Sequence, residues 1–202
     1  MLNRSKGLMA ALAAFAILLA AVSGASATRL EFNNTTFRIV WRPMRFITRA
    51  GTEITCNVTF EGEFSSRTFT KTAGNQIGSI RVTGIESCST RIVWLTETLP
   101  WGLFYSSFIG TLPNIEQLAT TMTGLRFRWG TISTCLYRVV AEAPQQMNFV
   151  RRMETSQLIL ANLLQSWITS ESLGCTTEDM RLSGTGSITT NGGFEGLFLR
   201  LI

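Results

Sequence analysis

The sequence contains no histidine and a single aspartate, Asp179. The absence of histidine excludes the usual general base of enzymes, every Ser-His or Cys-His nucleophile and most catalytic zinc sites. One aspartate is too few for an Asp-rich calcium loop, and no P-loop or G-x-G-x-x-G fingerprint is present. We therefore predict a protein that is not an enzyme and that holds neither a cofactor nor a metal ion.

Charged residues are also scarce, at 15% of the chain against about a quarter in typical soluble domains. The formal net charge is +5, and most of the basic residues are arginines. A mild positive balance on a polar, threonine-rich surface does not indicate nucleic acid. We predict no nucleic-acid partner.

The N-terminus has the pattern of a signal peptide. Arg4 and Lys6 precede an uncharged apolar run over 8–22, and small residues follow at 25–27. This order is typical of an exported protein that is cleaved after Ala27. An uncleaved anchor is the alternative. We predict a signal peptide over 1–27, one domain over 28–202, a secreted or cell-surface location, and membrane contact only through the signal segment before cleavage.

The four cysteines of an exported chain indicate two disulfides, for which three connectivities exist. Order and spacing favour Cys56–Cys88 and Cys135–Cys175. Cys56 and Cys88 are each predicted to face the same side as the core residues of their strands, which supports the first pair. A zinc site is the rival reading, but it would need close cysteine pairs or histidines, and the chain has neither.

Strict alternation of apolar and polar residues over 54–64 is the clearest structural pattern. It places Ile54, Cys56, Val58 and Phe60 on one face, as in an antiparallel strand with a buried and a wet side. Ten to twelve such short segments are separated by turn signals. The sequence predicts an all-β single domain, either an antiparallel β-sandwich or a β-barrel.

Four local features carry narrower predictions. Pro43 interrupts a strand and indicates an edge or a bulge. Segment 67–71 is predicted to form a hairpin with the strand before it, and 187–202 a second hairpin at the C-terminus that is tied into the sheet. Residues 158–168 fit a helical stripe as well as a strand, and the β-rich context favours a strand.

Aromatic side chains beside a Leu-Pro turn are the predicted ligand or partner surface: Trp101, Phe104, Tyr105 and Phe108. Such rings can stack on sugars or anchor a protein. Candidate partners are a glycan, a cell-wall polymer or a surface protein. The alternative is that these rings pack in the core.

Four arginines recur near the first cysteine-containing strand, at Arg38, Arg42, Arg45 and Arg49. They could face an anionic polymer or lipid headgroups, or be a solvated face. Glu61 and Glu63 share the wet face of one strand, about 6 to 7 Å apart by strand rise. A glycoside hydrolase could use such a pair, although two solvated glutamates are the simpler interpretation.

The chain resembles a group of uncharacterised exported proteins from actinobacteria. The matching motifs are Ala27-Thr28, Ile54 to Gly62, Gly78, Cys88, Thr98 to Trp101, Gly110 to Ile115, Cys135 to Tyr137, and Cys175. The resemblance implies export, an all-β architecture and two disulfides. It implies no activity or ligand.

These observations predict an exported, non-enzymatic β-sandwich that acts as a binding or structural module of the cell surface or extracellular space. The alternative is a β-barrel that carries a small apolar ligand, because a closed sheet can enclose a cavity. A hydrolase and an outer-membrane barrel rank below both.

Overall fold

The computed structural model describes residues 29–110, 115–130, 135–151, 157–164, 166–171, 175, 179–190 and 197–201. The predicted signal peptide lies outside these residues. Within them, no helix has the length and apolar character needed to cross a membrane. The strands are β1 (Arg29–Phe32), β2 (Thr36–Thr48), β3 (Glu53–Phe64), β4 (Thr68–Thr70), β5 (Gln76–Glu86), β6 (Ile92–Trp94), β7 (Trp101–Ile109), β8 (Gln117–Thr123), β9 (Arg126–Trp129), β10 (Cys135–Arg138), β11 (Gln145–Arg151), β12 (Gln157–Leu163), β13 (Trp167–Thr169), β14 (Asp179–Thr189) and β15 (Leu197–Leu201).

Eight of these strands form a closed antiparallel barrel in the order β14-β2-β3-β5-β7-β8-β11-β12, and β12 pairs back onto β14. From β2 to β14, each barrel strand pairs with the next barrel strand along the chain. The barrel is therefore an up-and-down meander. The predicted all-β class is confirmed. Of the two predicted architectures the structure has the barrel, because the pairing of β12 with β14 closes the sheet.

Side chains fill the barrel interior. Phe37 on β2 contacts Phe149 on β11 with ring centroids 5.7 Å apart, although β14 and β12 lie between these strands in the sheet. Deeper in the barrel, the ring of Phe60 lies 5.1 Å from Trp41 and 5.5 Å from Trp101. An eight-stranded barrel is just wide enough for side chains to fill it. These rings therefore bridge the lumen.

A glycine makes room for the largest of these rings. The indole of Trp41 lies over Gly186 on β14, where a Cβ would come within 2.9 Å of the ring. The indole Nε1 thereby reaches β12 and donates a hydrogen bond to the Ala161 carbonyl at 3.2 Å. Its one polar group is satisfied inside the core.

A small sheet of β10, β9 and β6 closes one end of the barrel, which we call the disulfide end. Trp94 and Phe127 from this sheet pack edge-on against each other at 5.5 Å. Phe127 lies 5.5 Å from Phe46 of the barrel, and Trp94 lies 5.6 Å from Trp101. The sheet forms from the long connections that leave the barrel at this end.

Both disulfides lie at the disulfide end, and both predicted pairings are confirmed. Cys56 on β3 bonds Cys88 after β5, and Cys135 on β10 bonds Cys175 after β13. They join positions 32 and 40 residues apart. In the chain-entropy account, loops of this size contribute about 4 kcal/mol each.

The opposite end, the terminal-strand end, is closed by β1, β4 and β15. Strand β1 pairs with β15 on one side and β4 on the other. Its buried Phe32 stacks on Phe64 of the barrel, with ring centroids 3.7 Å apart, and contacts Phe69 at 5.3 Å. The first and last described strands therefore complete this end without a cysteine.

The structure confirms the local predictions at Pro43 and over 158–168 and contradicts the predicted hairpin over 67–71. The register of β2 shifts at Pro43, as a bulge requires, and the described part of 158–168 is strand except at Leu164 and Ser166. The predicted hairpin over 67–71 is wrong because β2 and β5 occupy both edges of β3, so β4 pairs with β1. The C-terminal strand is tied into the sheet as predicted, because β15 pairs with β1 and β12, whereas the turn of the hairpin predicted over 187–202 lies outside the described residues.

Candidate functional site

The four aromatic side chains predicted to form a ligand or partner surface do not lie together on the outside. Trp101 is fully buried and donates from its indole nitrogen to the Thr98 hydroxyl at 2.8 Å. Tyr105 is 4% exposed, and burial raises the pKa of its phenol. Phe104 and Phe108 are half-buried. The four do not form one exposed surface, because the alternation that orients a strand's side chains turns Trp101 and Tyr105 inward.

The two glutamates considered for hydrolysis each have an arginine partner. Glu61 lies 3.5 Å from Arg38 on β2, and Glu63 pairs with Arg81 on β5. Both carboxylates are on the outer face of β3, in separate ion pairs with neighbouring strands. Cross-strand ion pairs of this kind are typical of a solvated barrel wall. The geometry favours the interpretation as surface residues.

The four arginines all lie on the outside of the barrel. Side chains on β2 alternate between the interior and the outside, and the bulge at Pro43 shifts this alternation by one residue. Arg42 and Arg45 are therefore both exposed, although they are three positions apart. Arg45 lies 3.4 Å from Glu53, and Arg49 lies 2.9 Å from Asp179. Among the described residues, Arg42 alone of the four has no carboxylate partner. Its guanidinium is available to an external anion.

Arg42 lines two adjoining grooves on the barrel wall. The first, of about 310 Å³, is also lined by Pro43, Arg45, Ser183, Gly184 and Thr185. The second, of about 440 Å³, is also lined by Val40, Leu160, Thr185, Gly186 and Ser187. Because Arg42 and Thr185 belong to both, the two grooves meet along the contact of β2 with β14. Neither lining includes a carboxylate.

Aliphatic side chains form a row across the outer wall next to these grooves. Cross-strand pairing connects Ile109 through Gln117 to Val150, then Leu160, and through Ser187 to Val40. Paired residues on antiparallel strands face the same side. We call Ile109, Val150, Leu160 and Val40 the outer aliphatic row.

The row is accessible to solvent and bordered by polar groups. Ile109 is 53% exposed, and the other three members are half-buried. A further groove of about 400 Å³ lies at the Ile109 end, lined also by Glu116, Gln117, Val150 and Arg151. Aliphatic surface with a polar border is typical of an interaction site. The arrangement can hold apolar chains on the outside of the barrel.

Glu171 is a carboxylate shared between two arginines. Glu171 contacts both Arg126 and Arg138 at the disulfide end. Burial alone would raise the pKa of this carboxyl, but the hydrogen bonds and charges of the two arginines outweigh burial and lower the pKa below its usual value. No cluster of three or more potential metal ligands occurs in the part of the chain that the structure describes.

A family model described as alkane oxidation protein activator PraA/PraB-like matches residues 1–195. The chain belongs to the PraA/PraB-like family. No curated protein and no solved structure matches it. The resemblance to exported actinobacterial proteins stays a prediction.

Sequence reasoning missed the outer grooves of this PraA/PraB-like chain. The strand containing Pro43 was recognised, but its partner β14 lies about 140 residues further along the chain. Pro43 inside an arginine-bearing strand, with Gly184 and Gly186 alternating in a later strand, is the signal that could have indicated a break in the wall. The outer aliphatic row has no such signal, because its members come from four separate strands.

Proposed function

We propose that this chain is an exported, non-enzymatic protein that promotes alkane oxidation by binding the apolar substrate on the outside of its barrel. The process, alkane oxidation, is taken from the description of the family. One observation supports the location: aromatic rings bridge the barrel interior, whereas the outer aliphatic row leaves apolar side chains accessible to solvent.

The filled interior separates this proposal from a carrier that encloses its ligand. A carrier of the lipocalin kind needs an empty lumen inside its eight strands. Here Phe37 and Phe149 touch across the barrel, and the small sheet places Trp94 and Phe127 over the disulfide end. An alkane would have to displace rings that pack against several neighbours. The outer wall requires no such displacement.

The polarity of the wall supports a protein that works in water. Transmembrane barrels carry apolar side chains outward and polar ones inward. On β3 the order is reversed: buried Val58 and Phe60 face the interior, and Thr59 and Glu61 face out. The two disulfides are compatible with an oxidising compartment outside the cytoplasm. Both features favour a water-borne exported protein.

The proposal can be tested in a host from which the gene has been deleted. Complementation with the wild type should restore consumption of a liquid n-alkane, measured by gas chromatography, and growth on a soluble carbon source should not depend on the gene. The double variant Ile109→Ser/Val150→Ser should restore several-fold less consumption at equal protein level. Val82→Ser is the matched control, since Val82 is also 53% exposed but lies elsewhere on the wall.

Two results would contradict the proposal. The double variant could restore full alkane consumption, in which case the outer aliphatic row is not the site. Alternatively, the purified protein could convert the alkane by itself, which would make it an enzyme.

A further inference from the structure

The barrel wall is interrupted where β2 and β14 meet. The pairing runs regularly up to Trp41 opposite Gly186 and resumes with Arg45 opposite Ser183. Between these pairs three residues of β2 lie opposite two residues of β14, and Pro43 has no N–H to contribute to the ladder. A bulge of this kind re-aims nearby side chains. The interruption forms the groove of about 310 Å³ beside Arg42.

The chemistry of this groove matches an anion. Two guanidinium groups, from Arg42 and Arg45, flank it, and the hydroxyl-bearing residues Ser183 and Thr185 complete its polar lining. Arg45 is shared with Glu53, whereas Arg42 has no carboxylate partner among the described residues. An arginine can hold a carboxylate through two parallel hydrogen bonds.

The adjoining groove of about 440 Å³ matches an alkyl chain. It begins at the same Arg42 and continues over Val40 and Leu160. Leu160 pairs with Val150, which extends the apolar path toward Ile109. Apolar surface removed from water stabilises a bound chain in proportion to its area. A small inorganic anion would leave this aliphatic path empty, and a neutral alkane would leave Arg42 unpaired.

We propose that this double groove binds a free long-chain alkyl carboxylate, with the carboxylate at Arg42 and the alkyl chain over Val40 and Leu160. The inference goes beyond the proposed function and does not depend on it, because it concerns an anionic amphiphile and can be tested on the purified protein. Failure of binding would leave the cellular test of alkane consumption unaffected.

Isothermal titration calorimetry with dodecanoate, kept below its micelle concentration, tests the proposal on the disulfide-bonded protein. Dodecan-1-ol and acetate each lack one half of the ligand and should bind at least about tenfold more weakly. Arg42→Gln should weaken dodecanoate binding by a similar factor, and Arg42→Lys should retain part of it. Arg38→Gln, on the same face of the same strand but paired with Glu61, is the matched control and should bind as the wild type does.

Leu160→Ser should weaken dodecanoate binding and leave acetate unchanged, with Val82→Ser as its control. Circular dichroism melting curves establish that each variant is folded. The proposal is overturned if Arg42→Gln binds dodecanoate normally, or if acetate binds as tightly as dodecanoate, which would indicate a simple anion site. Arg42-dependent binding to anionic phospholipid vesicles without binding of dodecanoate would overturn it too, in favour of a membrane surface.

Discussion

The two ends of the barrel are closed by the same means and secured by different ones. At each end a few added strands place aromatic rings over the lumen: Trp94 and Phe127 at the disulfide end, Phe32 and Phe69 at the terminal-strand end. Both disulfides and the Glu171 ion pairs are at the first end. The second end has no disulfide and depends on β1 and β15, which are held by strand pairing, by ring stacking and by the exposed ion pair of Arg200 with Glu31.

This difference follows from where the connections lie. At the disulfide end the small sheet is built from three-residue and four-residue strands inside long loops, which would cost much conformational entropy to order. Cross-links lower that cost by restricting the unfolded chain. At the terminal-strand end β1 continues almost directly into β2, so the barrel itself positions it. We therefore expect the two ends to respond differently to perturbation.

The largest expected effect is the loss of both disulfides. Replacing all four cysteines by alanine should remove about 4 kcal/mol for each closed loop, which together is comparable to the stability of a whole domain. The variant should accumulate poorly when exported, and any folded fraction should exchange amide hydrogens fastest in β6, β9 and β10. Hydrogen exchange with mass spectrometry measures this. Faster exchange in β1 and β4 than in β9 would contradict the comparison.

Removing one ring from the terminal-strand end should have a smaller and more local effect. Phe32→Ala deletes a fully buried ring and should lower the free energy of opening this end by about 3 to 5 kcal/mol. Because no disulfide holds this end, β1 and β4 should lose exchange protection while β9 and β10 keep theirs. Phe127→Ala is the matched substitution at the other end. There the cross-links should keep the small sheet in place, and equal loss of protection at both ends would refute the distinction.

The smallest effect concerns the Glu171 ion pairs. Since the folded-state pKa of this carboxyl is lowered, its contribution to stability is present above the unfolded pKa and is lost as the pH falls through the folded pKa. Partly exposed pairs contribute below about 1 kcal/mol. Glu171→Gln should therefore slightly lower the melting temperature at neutral pH and have less effect at pH 3. A constant difference between pH 3 and pH 7 would argue against the ion pairs.

The elements that sequence predicted best are those with local signals. The alternation over 54–64 and the bulge at Pro43 follow from the pattern within one strand, and the two disulfide pairings follow from the order and spacing of the cysteines. The pairing of β4 with β1 and of β15 with β1 depends on which sheet edges are already occupied, which no local pattern encodes. The same limit applies to the candidate site. Arg42 was recognised as one of four arginines, but its groove exists only once β14 lies beside β2.

The aromatic surface shows the opposite limit. Trp101, Phe104, Tyr105 and Phe108 are close together in sequence, yet alternation sends Trp101 and Tyr105 inward. Composition identified the rings, but it did not indicate which side of a closed barrel they occupy.

The most direct test of the central claim is a solution NMR titration of the disulfide-bonded protein with n-decane. We expect the amide and methyl signals of Ile109, Val150 and Leu160 to shift while the buried indole N–H signal of Trp41 stays unchanged. That result would place the apolar ligand on the outer wall of an intact barrel. Shifts confined to Trp41, Phe60 and Trp101 would contradict the account, because they would mean that the alkane enters the interior.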